Sequence, residues 1–351
     1  MGLNCGLIGL PGCGKTTIFN AITAQSVPIS GKQEKNQVRV NLPDYRLQQL
    51  TDLYQAKKVV PAFLELTDIP GIKPGSVIGG GRGAKLLSNL KEADALIHVI
   101  NLFENDSEPG EDIETIDLEL IVADSETLNS RIEKLSRLAR KDQKIAAAVK
   151  LFKRVLINLE DGIPARKQEF TEAERQIVHP CQLVSQKPVL YVANLRELHN
   201  LQNPTIQKLA HLAAVESAQW LAISGRDEED ISQMEPRERM EFMIDMGLKE
   251  SSLERLIQAA YKMLGLVNFF TAGENEVHAW TCKKGDTAPV AAGKIHSDME
   301  KGFIKMEVIK FNDMLEYGSE SSVAKAGKLR LEGKVYRIEE GDIVVIRFSP
   351  S

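Results

Sequence analysis

The sequence predicts an α/β domain on a doubly wound parallel sheet, interrupted by two long helices and followed by a small α+β domain. Three observations predict it. A short apolar run, Leu3 to Ile8, breaks into a glycine-rich turn and then a helix. Apolar stretches at 62–67, 95–101, 188–193 and 219–223 alternate with helical patterns, the rhythm of a parallel sheet with crossover helices. Between residues 117 and 176 the strand signal stops, and apolar residues recur every three or four positions.

The first element carries chemistry. Gly9-Leu-Pro-Gly-Cys-Gly14-Lys15-Thr16 has the phosphate-loop spacing, set between a strand and a helix as that motif requires. Backbone around Pro11, Gly12, Cys13 and Gly14 can converge on phosphate oxygens, with Thr17 opening the helix behind it. Lys15 is placed to reach the β- and γ-phosphates as a catalytic residue, and the Thr16 hydroxyl to ligate Mg²⁺. The helix N-terminus adds positive potential. A glycine turn that binds nothing would not need both the spacing and these flanks. Cys13 lies inside the loop, where an oxidised sulfur would crowd the phosphates; a small residue filling a loop position is the plainer reading.

Residues 25–37 are polar and broken by Pro28 and Gly31, which predicts a mobile loop. Val38 to Leu42 alternates as a strand, and Asp44 to Tyr54 has leucines at helical spacing. The strand 62–67 ends at Asp68-Ile-Pro-Gly71. An acidic residue there can act on Mg²⁺, and the Gly71 backbone N–H can meet the terminal phosphate, a second catalytic contribution. Five glycines between Gly75 and Gly83 predict a flexible switch before a helix at 84–93.

The strand 95–101 is apolar throughout, as expected when both sheet faces are covered. His98 within it reads as a core histidine. Phe103 to Asp106 follow at its carboxyl end, where ligands sit in open α/β sheets. The helical region then reads as an antiparallel hairpin or short coiled coil, split at Arg140–Lys144. Its many lysines and arginines suit either a solvated helix face or a contact with RNA. The strand 188–193 runs into Asn194-Leu195-Arg196-Glu197, and the strand 219–223 ends at Ser224-Gly225. Residues 231–265 read as helical. From Leu266, short strands at 267–271, 276–281, 305–309 and 343–348, with one helix at 321–331, predict the small domain. The expected boundaries are 1–116 with 181–265, then 117–180, then 266–351.

Composition narrows the classes. With 43% apolar and 26% charged residues over 351 positions the chain is ordinary globular protein. A net charge of −5 argues against a coat of basic charge and leaves room for a local basic face. No apolar run reaches the roughly 18 residues of a membrane span, and the start lacks a signal-peptide layout. Four cysteines without metal spacing point to a reduced, cytoplasmic protein.

The motifs GLPGCGKTT, DIPG and PVLYVANLRE, with the tail FFTAGENEVHAWTCKKGDTAPVAAGKIHSDMEKGFIKMEVIKF and GSE…AKAGKLRLEGKVYRIEEGDIVVIRF, resemble the YchF subfamily of Obg-related P-loop proteins. The likeness covers nearly the whole chain and marks the tail as similar to that family's TGS domain. It implies a GTPase-like fold that prefers ATP. Guanine is read in GTPases by Asn-Lys-x-Asp, whose Asp bonds the base. Here Leu195 and Glu197 replace the Lys and the Asp, so guanine selectivity should fail. Asn194 remains to bond an adenine edge, with Ser224 and Gly225 on the other side of the base. After Gly71, the usual water-orienting Gln is replaced by Ile72, which implies slow hydrolysis.

Several positions depart from the family. Gly12 stands where members carry an Asn associated with potassium, which weakens the expectation of K⁺ as a cofactor. Val27-Pro-Ile-Ser30 replaces a Tyr-Pro-Phe segment and its following Thr. The loop after Asn105-Asp106 lacks the family's His. The glycine-rich switch lacks the usual Glu and Lys. The resemblance implies a nucleotide-dependent switch on ribosomes or ribosomal RNA, contacted through the helical and tail domains, with no membrane or DNA partner. A nucleotide-gated binding module with negligible hydrolysis, or a GTP-binding protein of the same fold, are the alternatives.

Overall fold

A computed structural model of the protein describes residues 3–24, 37–77, 80–104, 107–197, 203–245 and 250–349. The expected mobile loop up to residue 36, the segment Val27 to Ser30, the pair Asn105-Asp106, and residues 78–79 of the glycine-rich switch lie outside them. The chain forms two compact units, Met1–Val40 with Glu65–Ala260, and Asn41–Leu64 with Tyr261–Ser351.

In the first unit, β1 (Asn4–Ile8) enters the glycine turn and the chain leaves it as α1 (Lys15–Ala24). β2 (Gln37–Asn41) alternates exposed and buried residues, as an edge strand must. The chain crosses α2 (Tyr45–Tyr54) and β3 (Val59–Val60) of the second unit and returns as β4 (Phe63–Asp68). Next come α3 (Gly80–Glu92), β5 (Ala95–Asn101), α4 (Pro109–Ser136), α5 (Gln143–Glu160) and α6 (Glu172–Val178). β6 (Val189–Asn194), α7 (Pro204–Val215), β7 (Gln219–Ile223), α8 (Gly225–Gln233), α9 (Pro236–Asp245) and α10 (Ser252–Met263) complete the series. The sheet order is β2-β4-β1-β5-β6-β7, and every pair from β4 to β7 is parallel. This is the doubly wound sheet expected. β1 lies at its centre, with later strands added on both sides.

The helical region begins earlier than the expected residue 117, because Pro109 starts a helix well and Glu111 and Asp112 suit its N-terminal dipole. α4 runs unbroken for 28 residues. After a short turn, the Asp142 side chain accepts from Lys144 N and Ile145 N and caps α5. Leu128, Phe152, Val155 and Leu159 form the hairpin's own core. At its root, Arg166 Nη2 donates to Asp117 Oδ2 at 2.7 Å and also to Glu216, whose Oε2 accepts from the Tyr191 hydroxyl at 2.9 Å. The cluster ties α4, the end of α7 and β6 by charge-assisted bonds.

The second unit holds β8 (Leu266–Ala272), β9 (Val277–Lys283), α11 (Ala288–Ile295), α12 (Ser297–Lys301) and β10 (Phe303–Lys310). It ends with α13 (Phe311–Tyr317), α14 (Glu320–Lys325), β11 (Arg330–Glu332) and β12 (Asp342–Phe348). Its sheet order is β11-β10-β12-β8-β9-β3. Two expectations are corrected. Residues 41–64, assigned from sequence to the first domain, belong here: β3 pairs in parallel with β9, and α2 packs on β8 and β9 through Leu47 and Leu50. Nothing local announces this, since helix and strand signals do not say which sheet they join. The single helix expected at 321–331 is a short helix and a strand, because Gly327 takes φ +71° and ends the helical path. Among the described residues no helix is long and apolar enough to cross a membrane.

Candidate nucleotide-binding site

Parallel register gathers the site. Leu7 pairs with Asp68, Ile8 with His98, Asn101 with Asn194 and Asn194 with Ile223. The carboxyl ends of β1, β4, β5, β6 and β7 therefore finish at one level, at the point where strand order reverses and ligands are held.

Within the loop, Gly9, Gly12 and Gly14 have φ of +151°, +83° and +87°. A Cβ on Gly9 would stand 2.4 Å from the Val99 carbonyl oxygen. Gly12 has open space around it, so its backbone conformation, and not crowding, favours glycine. Asn, the residue that the resemblance leads one to expect here, is among the few others that tolerate such a φ. Pro11, Gly12 and Thr16 are exposed, Gly14 and Thr17 half-buried, and Cys13 and Lys15 buried. Lys15 Nζ lies 3.4 Å from both the Gly9 and Leu10 carbonyl oxygens and 3.9 Å from Cys13 Sγ. Burial pushes the Cys13 thiol above its ordinary value, against the opposing pull of Lys15. A buried thiol of this kind is not a reactive thiolate.

Thr16 Oγ1 donates to Asp68 Oδ2 at 3.3 Å. The other carboxylate oxygen, Asp68 Oδ1, is buried and has no partner among the described residues. Burial pushes the Asp68 carboxyl up, opposed by Lys15 and the Thr16 hydroxyl. A hydroxyl and an unsatisfied carboxylate oxygen beside a phosphate loop are the hard donors that Mg²⁺ takes when phosphates supply its remaining ligands. The donor set thus fits a metal that arrives with phosphate.

Gly71 lies against the loop: a Cβ there would meet Pro11 Cα, N and Cγ at 3.1 Å each. The Ile72 N–H donates to the Gly9 carbonyl at 3.1 Å, so the two motifs are joined directly. The Ile72 side chain is fully buried with Ile8, Ile69, Val77, Leu86 and Leu90. It lacks polar atoms and also points into the core.

On the base side, Asn194 is 4% exposed. Its Nδ2 donates to the Cys13 carbonyl at 2.9 Å, and its Oδ1 accepts from the Gly225 N–H at 3.0 Å. The expected base reader is thus first a brace between loops, with one amide N–H beyond these two bonds. Gly225 packs against it and Ile18; a Cβ would stand 3.2 Å from each. Ser224 is buried, donates to the Arg196 carbonyl and caps α8 by accepting from Asp227 N. Leu195 is 6% exposed and belongs to the core cluster, which leaves little of it to meet a base. Glu197 is exposed at the rim. A Phe103 ring carbon comes within 3.9 Å of where a Gly14 Cβ would sit, so an aromatic ring flanks the loop. His98 is buried in β5 against Tyr191, its ring centroid 5.7 Å away, and its Nε2 has no partner among the described residues.

Sequence reasoning missed Glu119. This residue of α4 is 7% exposed, and its two carboxylate oxygens accept from Gly75 N at 2.6 Å and Val77 N at 3.1 Å. A lone Glu in a helix with other acidic residues carries no distinguishing pattern; only the burial of its face sets it apart.

Residues 4–150 match the family described as 50S ribosome-binding GTPase, and residues 266–349 the YchF-GTPase C-terminal family, described as a protein of unknown function. The ribosome-binding ATPase YchF of Bacillus subtilis is 41% identical over 99% of this chain and 100% of its own length. The ribosome-binding ATPase YchF of Escherichia coli O157:H7 is 37% identical over the same shares. The solved structure of the Schizosaccharomyces pombe YchF GTPase matches with a TM-score of 0.86 at 30% identity, covering 98% of this chain and 97% of that one. The phosphate loop, its metal-ready partner at Asp68 and the buried Ile72 thus sit in a chain that belongs to the YchF family.

Proposed function

We propose that the chain binds ATP with Mg²⁺, hydrolyses it slowly to ADP and phosphate, and acts as a cytoplasmic nucleotide-dependent switch on ribosomes. The observation that carries the reading is the joined pair of motifs: Thr16 beside an unsatisfied Asp68 oxygen, and Ile72 bonded to Gly9. Lys15 would leave the carbonyls it now faces for the phosphates. Pro11, Gly12, Cys13, Gly14 and Thr17 would form the cradle around them, and the Gly71 backbone would sense the terminal phosphate. Thr16 and Asp68 would hold Mg²⁺, which when bound neutralises phosphate charge. Slow turnover follows from Ile72, which holds no water. Glu197 in place of a guanine-reading Asp supports ATP, with Asn194, Leu195, Ser224 and Gly225 shaping the base site. Potassium is not required in this reading, since Gly12 offers no side-chain ligand.

Ribosome contact is supported by the names of the bacterial relatives. The basic hairpin and the lysines of the C-terminal unit are the surfaces proposed to meet ribosomal RNA; no membrane or DNA partner is proposed. A second reading, a nucleotide-gated binding module without useful hydrolysis, is favoured by the same Ile72. Calorimetric titration with ATP and GTP, with Lys15→Ala and Asp68→Asn controls, tests the first reading. Equal or tighter binding of GTP sinks the ATP assignment. A single-turnover rate no faster than ATP in buffer, unchanged by added ribosomes, decides for the second. Cosedimentation with ribosomes at graded salt tests the partner, because phosphate contacts weaken steeply as salt rises.

A further inference from the structure

The geometry points to Glu119 as the residue that couples the phosphate-sensing loop to the helical hairpin. The segment after Gly71 folds into a tight turn: Ser76 N donates to the Lys73 carbonyl at 2.9 Å, and Lys73 N to Ser76 Oγ at 3.1 Å. Gly75 takes φ +77° within it. Two N–H groups of this turn, those of Gly75 and Val77 on either side of Ser76, both end on the one buried carboxylate of Glu119. Hydrogen bonds to an ionised acceptor are about twice as strong as neutral ones. The Val77 side chain adds an apolar contact, in the same core cluster as Ile116 and Leu120 of α4.

The gripped helix makes the contact consequential. α4 runs without a break from Pro109 to Ser136, so its foot faces the switch and its far half is one arm of the hairpin. From Glu119 to Ser136 the axis extends about 25 Å. A pivot of about 5° at the foot would therefore carry the far end roughly 2 Å. Pull on Gly71 by a terminal phosphate reaches the turn a few residues on, and Glu119 passes it to α4. Glu119 is a positioning residue that acts through the backbone of Gly75 and Val77, and this role rests on the ATP-switch reading above.

The test uses the full chain with spin labels at Lys141→Cys and Gln207→Cys, both exposed, on the hairpin turn and α7; the four native cysteines are buried. Interlabel distances are measured with ADP·Mg²⁺ and with a non-hydrolysable ATP analogue·Mg²⁺. The wild-type chain is expected to change its mean distance by about 2 Å or more. Glu119→Gln, which keeps the shape but turns an N–H donor toward one of the two backbone donors, is expected to bind the analogue within about threefold of wild type and to lose the distance change. Glu119→Asp, which keeps the charge on a shorter arm, is expected to respond partially. Amide exchange at Gly75 and Val77 should accelerate roughly tenfold in Glu119→Gln, since a bond to a charged group is lost there, while amides of β1 and β5 stay protected. A full wild-type distance change in Glu119→Gln overturns the coupling, as does a wild-type chain that binds the analogue without moving. A wild-type chain that binds no ATP overturns the proposed function itself and this inference with it. If Glu119→Gln loses protection throughout the sheet, the residue is only structural and the coupling is likewise overturned.

Discussion

The side-chain amide of Asn194 donates to the carbonyl oxygen of Cys13 at 2.9 Å, so the end of β6 holds the phosphate loop in place from behind. Its other end accepts from Gly225 N, and the start of α8 is thereby fixed to the same loop. One buried side chain thus ties together two loops of the candidate site. A buried amide bonded at both its nitrogen and its oxygen favours a single arrangement, and losing either bond is costly.

Gly14→Ala should therefore disable nucleotide binding by crowding Asn194 as well as by strain. Its Cβ would stand 2.1 Å from Asn194 Nδ2, on a backbone with φ +87°. Calorimetry should show affinity for ATP falling at least roughly tenfold, with a lower melting temperature. Asn194→Asp should weaken ATP and GTP alike, because it faces the Cys13 carbonyl with an acceptor. If Asn194→Asp lowered ATP affinity alone, its role would be base reading and not bracing.

Ile72→Gln is expected not to restore fast hydrolysis. The side chain is fully buried in the core cluster, so an amide there enters an apolar environment without partners. The cost should be about 3 kcal/mol of stability, read by denaturant unfolding, with no gain in single-turnover rate. A faster rate would mean that the segment can turn this side chain out to the phosphates.

His98 should make the protein sensitive to acid. Burial, with Arg166 and Lys15 adding repulsion, lowers its pKa to about 3 from the ordinary 6.5. The unfolded chain therefore binds a proton below about pH 6.5 that the folded one refuses until about pH 3, and stability falls as pH drops through that window. At pH 5 the loss from this one group is about 2 kcal/mol relative to pH 7.5. His98→Leu removes the proton site, and the Nε2 it removes has no partner among the described residues. Melting temperatures at pH 7.5 and pH 5 should differ less in His98→Leu than in wild type. Equal differences would assign the acid sensitivity elsewhere.

Much of the candidate site was legible because a phosphate-loop pattern is local in sequence. The loop from Gly9 to Thr16 needs its glycines and its lysine within eight residues, so the pattern survives in sequence. The doubly wound sheet was legible from the apolar strands 95–101 and 188–193, every residue of which from Val189 to Asn194 is buried. The hairpin was legible from its helical period. Glu119 was not, because its importance depends on which backbone N–H groups fold against α4, and those lie more than 40 residues earlier in the chain.

By itself, the sequence determined the phosphate-loop pattern, the acidic residue at the end of its neighbouring strand, the strand-helix rhythm and the absence of a polar side chain after Gly71. Those are statements about residue type and short spacing, which local sterics and hydrogen bonding dictate. Tertiary structure alone decided that Asn194 braces two loops, that Ile72 faces the core, that residues 41–64 complete the second sheet and that Glu119 grips the switch. Each of these is a pairing between distant segments. Many partners would satisfy a buried donor, a strand edge or an apolar side chain, and only the packed chain selects one.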